Sequence, residues 1–133
     1  MHSAIRPARW SVVLESPDAN ALAAFYARLL GWRLRSEETG WVTLADPDGP
    51  TYLAFNTSPE YRRPTWPPVD GEQQMMLHLD FCVGEGLEAL LPAVDDAVAA
   101  GATIAAFQPQ EDVRVMLDPD GHPFCLYVDE AVA

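Results

Sequence analysis

A short internal repeat constrains the fold more than any other feature. The sequence Asp-Pro-Asp-Gly occurs at residues 46–49 and again at residues 118–121, 72 positions later (118 − 46). Proline presets φ at one central turn position and glycine takes the left-handed one, so each copy predicts a tight turn. Gly31 and Gly101 each close a helical pattern, 70 positions apart (101 − 31). The repeated turn and the two glycines occur in the same order and at nearly the same spacing, so they predict that the chain consists of two similar halves.

The first half has the pattern of a strand, a helix and three more strands. Residues 16–18 (Ser-Pro-Asp) are typical of a helix start, with proline near the first position and an acid at the positive end. Gly31 is a common helix stop. Apolar residues at helical spacing form one stripe between them: Leu22, Phe25, Tyr26, Leu29 and Leu30. The predicted strands are residues 10–15, 32–37, 41–45 and 52–55.

The second half repeats this order, with a less regular helix. Pro92 lies inside the periodic run, and an interior proline costs about 3 kcal/mol or more. We therefore expect a separate turn at residues 87–91 and a helix that begins near Pro92 and ends near Ala100. The predicted strands are residues 76–83, 103–107, 113–117 and 124–128.

The predicted fold class is α+β, with two tandem βαβββ modules in one domain spanning residues 1–133. The first module covers about residues 8–56 and the second about residues 75–130. The proline-rich stretch of residues 57–74 is predicted to be a stiff linker, with Tyr61 and Trp66 available to pack back onto the protein. A chain of 133 residues fits one domain of ordinary size.

Composition excludes several functional classes. The net charge is −12 and all eight basic residues are arginines, with no basic cluster that would suit nucleic acid. The lack of lysine excludes Schiff-base chemistry and a P-loop. No apolar run approaches the roughly 20 residues of a membrane span, and we find no secretion signal. Two cysteines are too few for a disulfide scaffold, so we expect a reduced, cytoplasmic protein.

The chain resembles the vicinal-oxygen-chelate superfamily, which includes glyoxalases, bleomycin-resistance proteins and dioxygenases, and its glyoxalase-like branch in particular. The resemblance covers nearly the whole chain and is carried by residues 25–32, 63–67, 78–81, 101–103 and 118–125. It implies two curved mixed sheets that face each other across a cleft, with the ligand bound inside. A homodimer is the expected assembly.

The resemblance also implies where a divalent metal would be held. The family's ligand positions correspond here to Ser11, roughly Leu53, His78 and Cys125, where relatives carry histidine or glutamine, glutamate, histidine and glutamate. Only His78 keeps a family ligand, because leucine cannot bind a divalent ion and serine binds one poorly. We therefore expect no metal and no other cofactor. The alternative is a divalent metal on His78 and Cys125, with Asp80 or Glu15 as a third ligand.

The candidate residues also suggest two catalytic roles, acid–base catalysis and nucleophilic attack. His78 and Asp80 are candidates for an acid–base pair, with Glu15 as a further catalytic candidate, against a hydrogen-bonded pair without catalysis. Cys125 is expected to be a small buried residue rather than a nucleophile, since a strand offers no helix N-terminus to lower its pKa. His122, in the second turn, is expected to be exposed.

The leading prediction is a protein that binds a small apolar or aromatic molecule in the cleft. His78, Asp80 and Glu15 would be polar anchors, while Ser11, Leu53, Phe55, Trp66, Cys125 and Tyr127 would line the site. Ser11, Leu53, His78 and Cys125 are predicted to converge on one internal cavity. The alternative is a glyoxalase-like lyase, isomerase or dioxygenase with a non-standard metal or acid–base site.

Overall fold

Each half of the chain forms a four-stranded mixed sheet with one principal helix. The computed structural model describes residues 3–129, and the chain divides into two compact units between Tyr61 and Arg62. The elements of the first unit are β1 (Trp10–Ser16), α1 (Ala19–Leu30), β2 (Arg33–Glu38), β3 (Trp41–Ala45) and β4 (Thr51–Thr57). Those of the second unit are β5 (Leu79–Gly84), a 3-10 turn (Leu87–Ala89), α2 (Leu90–Ala100), β6 (Thr103–Ile104), β7 (Val113–Leu117) and β8 (Pro123–Val128).

The two sheets have the same topology. Their strand orders are β1-β4-β3-β2 and β5-β8-β7-β6, and in each the first strand runs parallel to the last strand of its unit. The other neighbours are antiparallel. The prediction of an α+β fold from two βαβββ modules is confirmed. No helix within residues 3–129 is long and apolar enough to cross a membrane.

Helix α1 begins and ends where the local signals place it. The Asp18 side chain caps its start by accepting a hydrogen bond from the Ala21 amide, and Gly31 closes it with φ 68°. Its apolar stripe packs on the first sheet, where the rings of Tyr26 and Phe55 stack at 5.6 Å between centroids. Burial of these two aromatic side chains fixes the helix on the sheet.

Helix α2 begins two residues before the predicted start. The 3-10 turn lies within the predicted turn region, but Leu90 already opens the helix and Pro92 is its third residue. A proline is tolerated there because the first backbone N–H groups of a helix have no intrahelical partner. Leu90, Val94 and Ala97 form the buried stripe of this helix.

Strand β6 is much shorter than predicted. The sequence indicated a strand over residues 103–107, but only Thr103–Ile104 form one. The Gln108 side chain pairs with β7 in place of the missing strand residues. It accepts a hydrogen bond from the Val115 amide at 2.8 Å and donates to the carbonyls of Val115 and Ala105. A primary amide carries the same donor and acceptor groups as a peptide, so it can pair with a strand edge.

The proline-rich stretch after Tyr61 is part of the second unit. Thr65 bridges to Gln74, and Arg63 donates to the Pro119 carbonyl at 2.9 Å, at the second Asp-Pro-Asp-Gly turn. Strand β5 follows it and begins at Leu79, three residues later than predicted. Met76, the predicted first residue, is 80% exposed.

Candidate ligand pocket in the second unit

The second unit contains a pocket of about 200 Å³ that we call the Trp66 pocket. Its walls are mostly apolar and combine the end of the proline-rich stretch with β7 and β8. The apolar lining residues are Trp66, Met75, Pro109, Val113, Val115 and Pro123. The polar lining residues are His78, Gln110 and Cys125. Apolar walls with a few convergent polar groups are the usual composition of a small-molecule site.

Trp66 is held in place by two contacts. Its indole Nε1–H donates to the Phe107 carbonyl at 3.2 Å, and its ring lies 6.1 Å from the Phe107 ring between centroids. The prediction that Trp66 packs back onto the protein is confirmed. A side chain already fixed in this way loses little conformational freedom when a ligand binds.

His78, Asp80 and Cys125 form a polar cluster at the pocket, which we call the His78 cluster. The His78 Nε2 lies 3.2 Å from Asp80 Oδ1, and the ligand atoms of His78, Asp80 and Cys125 all lie within 4.8 Å of one another. Asp80 and Cys125 are opposite one another in the parallel register of β5 and β8. His78 precedes β5 by one residue and so has the parity of Asp80. Strand parity thus brings an imidazole, a carboxylate and a thiol together.

Burial raises the pKa of the Cys125 thiol to about 11, and the Asp80 carboxylate adds to this effect. A thiolate beside a carboxylate would be unfavourable, whereas a thiol can donate a hydrogen bond to it. Cys125 is therefore a neutral thiol near pH 7. This electrostatic environment is the opposite of the one that activates a nucleophilic cysteine.

Tyr127 and Cys82 lie further along the same sheet face. They are opposite one another on β8 and β5, and Cys82 is the main cause of a raised pKa at Tyr127. Tyr127 was predicted to line the site, but it is outside the residues that line the Trp66 pocket.

Candidates in the first unit do not share one face of the sheet. Ser11 is opposite Tyr52 in the parallel register, so its side chain points away from the face of Leu53. Leu53 is buried, and Phe55, two residues on, stacks against Tyr26 of α1. The prediction that Ser11 and Leu53 converge on one cavity is therefore wrong. Leu53 and Phe55 belong to the helix-packed core of their unit.

Glu15 lies on the Ser11 face of the first sheet. Its carboxylate accepts from the Asn56 side-chain amide at 2.8 Å, between neighbouring positions of β1 and β4. This carboxylate is exposed and already has a partner within its own sheet.

The sequence and the fold agree with one known family. The family model described as "Glyoxalase-like domain" matches residues 11–127. The chain belongs to the glyoxalase-like domain family. It is thereby a member of the vicinal-oxygen-chelate superfamily. No curated protein matches it.

Several solved structures have a fold similar to that of this chain. A glyoxalase/bleomycin resistance protein/dioxygenase family enzyme from Burkholderia phytofirmans PsJN is 23% identical, with 87% of this chain and 94% of that chain covered and a TM-score of 0.66. A glyoxalase/dioxygenase from Nostoc punctiforme is 21% identical, with coverage of 98% and 99% and a TM-score of 0.64. A glyoxalase-related enzyme from Fulvimarina pelagi is 19% identical, with coverage of 90% and 86% and a TM-score of 0.65. At these identities the likeness concerns the fold.

Ser11 and Leu53, at two of the positions where the resemblance implied metal ligands, lie on opposite faces of the first sheet, and neither residue is a good ligand. The second unit offers a different set. One ligand atom from each member of the His78 cluster lies within 4.8 Å of the others. Imidazole, carboxylate and thiolate are donors that suit zinc, and three protein ligands are usual at a catalytic zinc. The donor chemistry of this cluster therefore fits a zinc-like ion.

His122, in the second Asp-Pro-Asp-Gly turn, was expected to be exposed, and the structure shows that it is not. Its side chain is only 17% exposed, and Nδ1 lies 2.8 Å from Oδ2 of the buried Asp118. The other Asp118 oxygen accepts from the amides of Asp120 and His122. His122 is therefore part of a hydrogen-bonded turn instead of an exposed residue.

Sequence reasoning missed several walls of the pocket. Val113 and Val115 pair with Tyr127 and Cys125 in the register of β7 and β8, so the parity of the known strands could have found them. Met75, Pro109 and Gln110 come from irregular segments, for which a single sequence carries no comparable signal.

Proposed function

We propose that this glyoxalase-like protein binds a small apolar or aromatic molecule in the Trp66 pocket, without a metal. The observation that carries the proposal is a pocket of about 200 Å³ with apolar walls and the His78 cluster at its polar side. Such a volume is below the roughly 300–1,000 Å³ of drug-sized sites and suits a ligand of one or two rings.

The apolar walls would supply most of the affinity. Each wall residue that loses contact with water on binding contributes through the hydrophobic effect, at about 25 cal/mol per Å² of buried apolar surface. An indole wall such as Trp66 also favours a flat aromatic ligand, because ring contacts add to area burial. The hydrogen bond from Trp66 to Phe107 keeps this wall in place.

The His78 cluster would orient the ligand. His78 and Cys125 both line the pocket, and Asp80 lies beside them, with its ligand atom within 4.8 Å of theirs. Cys125 is a neutral thiol, so it adds polarity at the pocket without a competing charge. An apolar molecule with one polar group would place that group beside His78.

A binding experiment with planar heteroaromatic probes tests the proposal. Indole, quinoline and 2-naphthol are titrated into the metal-free protein by calorimetry, in the presence of EDTA. Trp66→Ala should weaken binding about tenfold or more, since it removes an aromatic wall. The exposed Trp10 provides a matched control, and Trp10→Ala should bind like the wild type.

A pocket-filling variant guards against loss of folding in Trp66→Ala. Val113→Phe adds a ring at a half-buried lining position and should abolish probe binding while circular dichroism stays native. Probe binding that survives both Trp66→Ala and Val113→Phe would place the ligand elsewhere and contradict the proposal.

A second candidate is a glyoxalase-like lyase, isomerase or dioxygenase with a non-standard site. The specific observation in its favour is the approach of three ligand atoms to within 4.8 Å in the His78 cluster. His78, Asp80 and Cys125 would hold a zinc-like ion, which when bound supplies Lewis acidity toward a ligand oxygen. Without a metal, Asp80 would orient His78 as a general base.

Metal content separates the binder from the metal-assisted form of the second candidate. The protein is purified without chelators, its transition metals are quantified, and zinc, nickel, manganese and iron are titrated by thermal shift. Stoichiometric metal that His78→Ala abolishes would favour the enzyme. Wild-type protein without metal, stabilised by an aromatic probe, would favour the binder.

A further inference from the structure

The contact between His78 and Asp80 assigns a polarity to the pocket. We infer that the ligand of the Trp66 pocket carries an N–H or O–H group and donates it to Nδ1 of His78. The pocket would then select apolar molecules with a hydrogen-bond donor over isosteres that lack one. The inference rests on the proposed function and names the ligand class of that site.

The first step concerns which His78 nitrogen carries the proton. Nε2 lies 3.2 Å from Asp80 Oδ1, and an ionised carboxylate can only accept hydrogen bonds. The carboxylate therefore favours the tautomer that carries its hydrogen on Nε2. In a neutral imidazole one ring nitrogen donates and the other accepts, so Nδ1 presents a lone pair.

The second step concerns Cys125, the other member of the cluster that lines the pocket. Its sulfur lies within 4.8 Å of an Asp80 carboxylate oxygen, and a thiol is only a weak donor and a weak acceptor. The thiol therefore offers a ligand no strong hydrogen bond. Of the cluster groups at the pocket, the Nδ1 lone pair of His78 is the one left to make a directional hydrogen bond.

The third step is that this lone pair needs a partner when a ligand excludes water. Among residues 3–129, the only hydrogen-bond or ion-pair partner of the His78 ring is Asp80, through Nε2. A ligand without a donor would cover Nδ1 and leave it unsatisfied, which disfavours binding. Gln110, also on the lining, is exposed and its amide can serve either polarity, so it does not reverse the preference.

Indole and benzofuran form a suitable probe pair, because they share one shape and differ in a ring N–H against a ring oxygen. Their dissociation constants are measured by NMR at pH 8 with EDTA, from the shift of the ¹³C-labelled methyl group of Met75 in the pocket. The wild type should bind indole about fivefold more tightly than benzofuran, the ratio that one net hydrogen bond gives.

Asp80→Asn should remove this preference. The new amide can donate its NH₂ group to Nε2, and the ring hydrogen then moves to Nδ1. The indole-to-benzofuran preference should then fall to about one, as it should in His78→Phe, which lacks both nitrogens. Asp96→Asn, at an exposed position of α2, is the matched control and should keep the wild-type ratio.

The outcomes distinguish the inference from the proposed function. Equal affinities of the two probes in the wild type, with a saturable Met75 shift for both, would overturn the donor preference and leave the binding function standing. A fivefold preference that persists in both Asp80→Asn and His78→Phe would also overturn it, since the donor would be recognised elsewhere. No saturable shift with either probe would overturn the binding function itself.

Discussion

Asp80 and Cys125 lie opposite each other on the parallel strands β5 and β8, and the Cys125 sulfur lies within 4.8 Å of an Asp80 carboxylate oxygen. The resemblance to the vicinal-oxygen-chelate superfamily implied a metal-binding glutamate at the position of Cys125. Here a protonated thiol faces a carboxylate that belongs to the neighbouring strand. The first two predictions follow from this pair.

The Cys125 thiol should react slowly with alkylating reagents. Burial and Asp80 raise its pKa to about 11, so little thiolate exists at neutral pH. In a Cys82→Ser background, which leaves one cysteine, the rate of iodoacetamide labelling should rise with an apparent pKa of about 11. Asp80→Asn should lower that pKa. An apparent pKa near 9 in the presence of Asp80 would contradict the pairing.

The same pair predicts how stability depends on pH in the alkaline range. The thiol pKa is higher in the folded chain than in the unfolded chain, so the folded state retains its proton longer. This contribution is complete below the unfolded pKa and is lost as pH rises toward 11. Urea unfolding at several pH values should therefore show a steeper alkaline loss of stability in the wild type than in Cys125→Ser. Equal slopes would refute it.

The two Asp-Pro-Asp-Gly turns should differ in their contribution to stability. Asp118 is buried and accepts hydrogen bonds from two backbone amides and from His122, whereas Asp46 accepts from one amide near the surface. Asp118→Ala should lower the free energy of unfolding by about 2–3 kcal/mol, and Asp46→Ala by about 0.5–1 kcal/mol. Denaturant unfolding measures both. Similar losses at the two sites would show that burial of Asp118 is unimportant.

The Gln108 side chain should protect the edge of β7. It makes three hydrogen bonds to backbone groups of Val115 and Ala105. Gln108→Ala should cost about 1–2 kcal/mol of stability and speed hydrogen exchange at the Val115 amide. Gln110→Ala, at an exposed position nearby, is the control and should leave that exchange rate unchanged. Unaltered protection of Val115 in Gln108→Ala would exclude this role.

The fold followed from the sequence wherever its signals were local. The repeated turn, the Asp18 cap and Gly31 each act within a few residues, so they predicted the paired modules and the limits of α1. The length of β6 could not be predicted, because the Gln108 side chain pairs with β7 in place of the expected strand residues. The exposure of His122 was predicted wrongly for a related reason. Its turn buries Asp118, and the imidazole lies against that carboxylate.

The candidate site was predicted only in part. His78, Asp80 and Cys125 meet because strand parity is a reliable guide over two neighbouring strands. Strand parity also gives the wrong sheet face when a position is misassigned by one residue, since such a shift moves a side chain to the opposite face. The ligand position that was assigned only roughly to Leu53 therefore fell on a residue of the helix-packed core. The β4 residue that lies opposite Ser11, on the same sheet face, is Tyr52.

Methyl NMR of the methionine side chains tests the central claim most directly. Met75 lines the Trp66 pocket, Met116 is buried in the core and Met76 is 80% exposed, so the chain contains its own controls. Titration with indole in EDTA should move the Met75 methyl signal to saturation and leave those of Met76 and Met116 in place. A Met75 signal that does not move, or that moves only together with Met116 and Met76, would contradict ligand binding in this pocket.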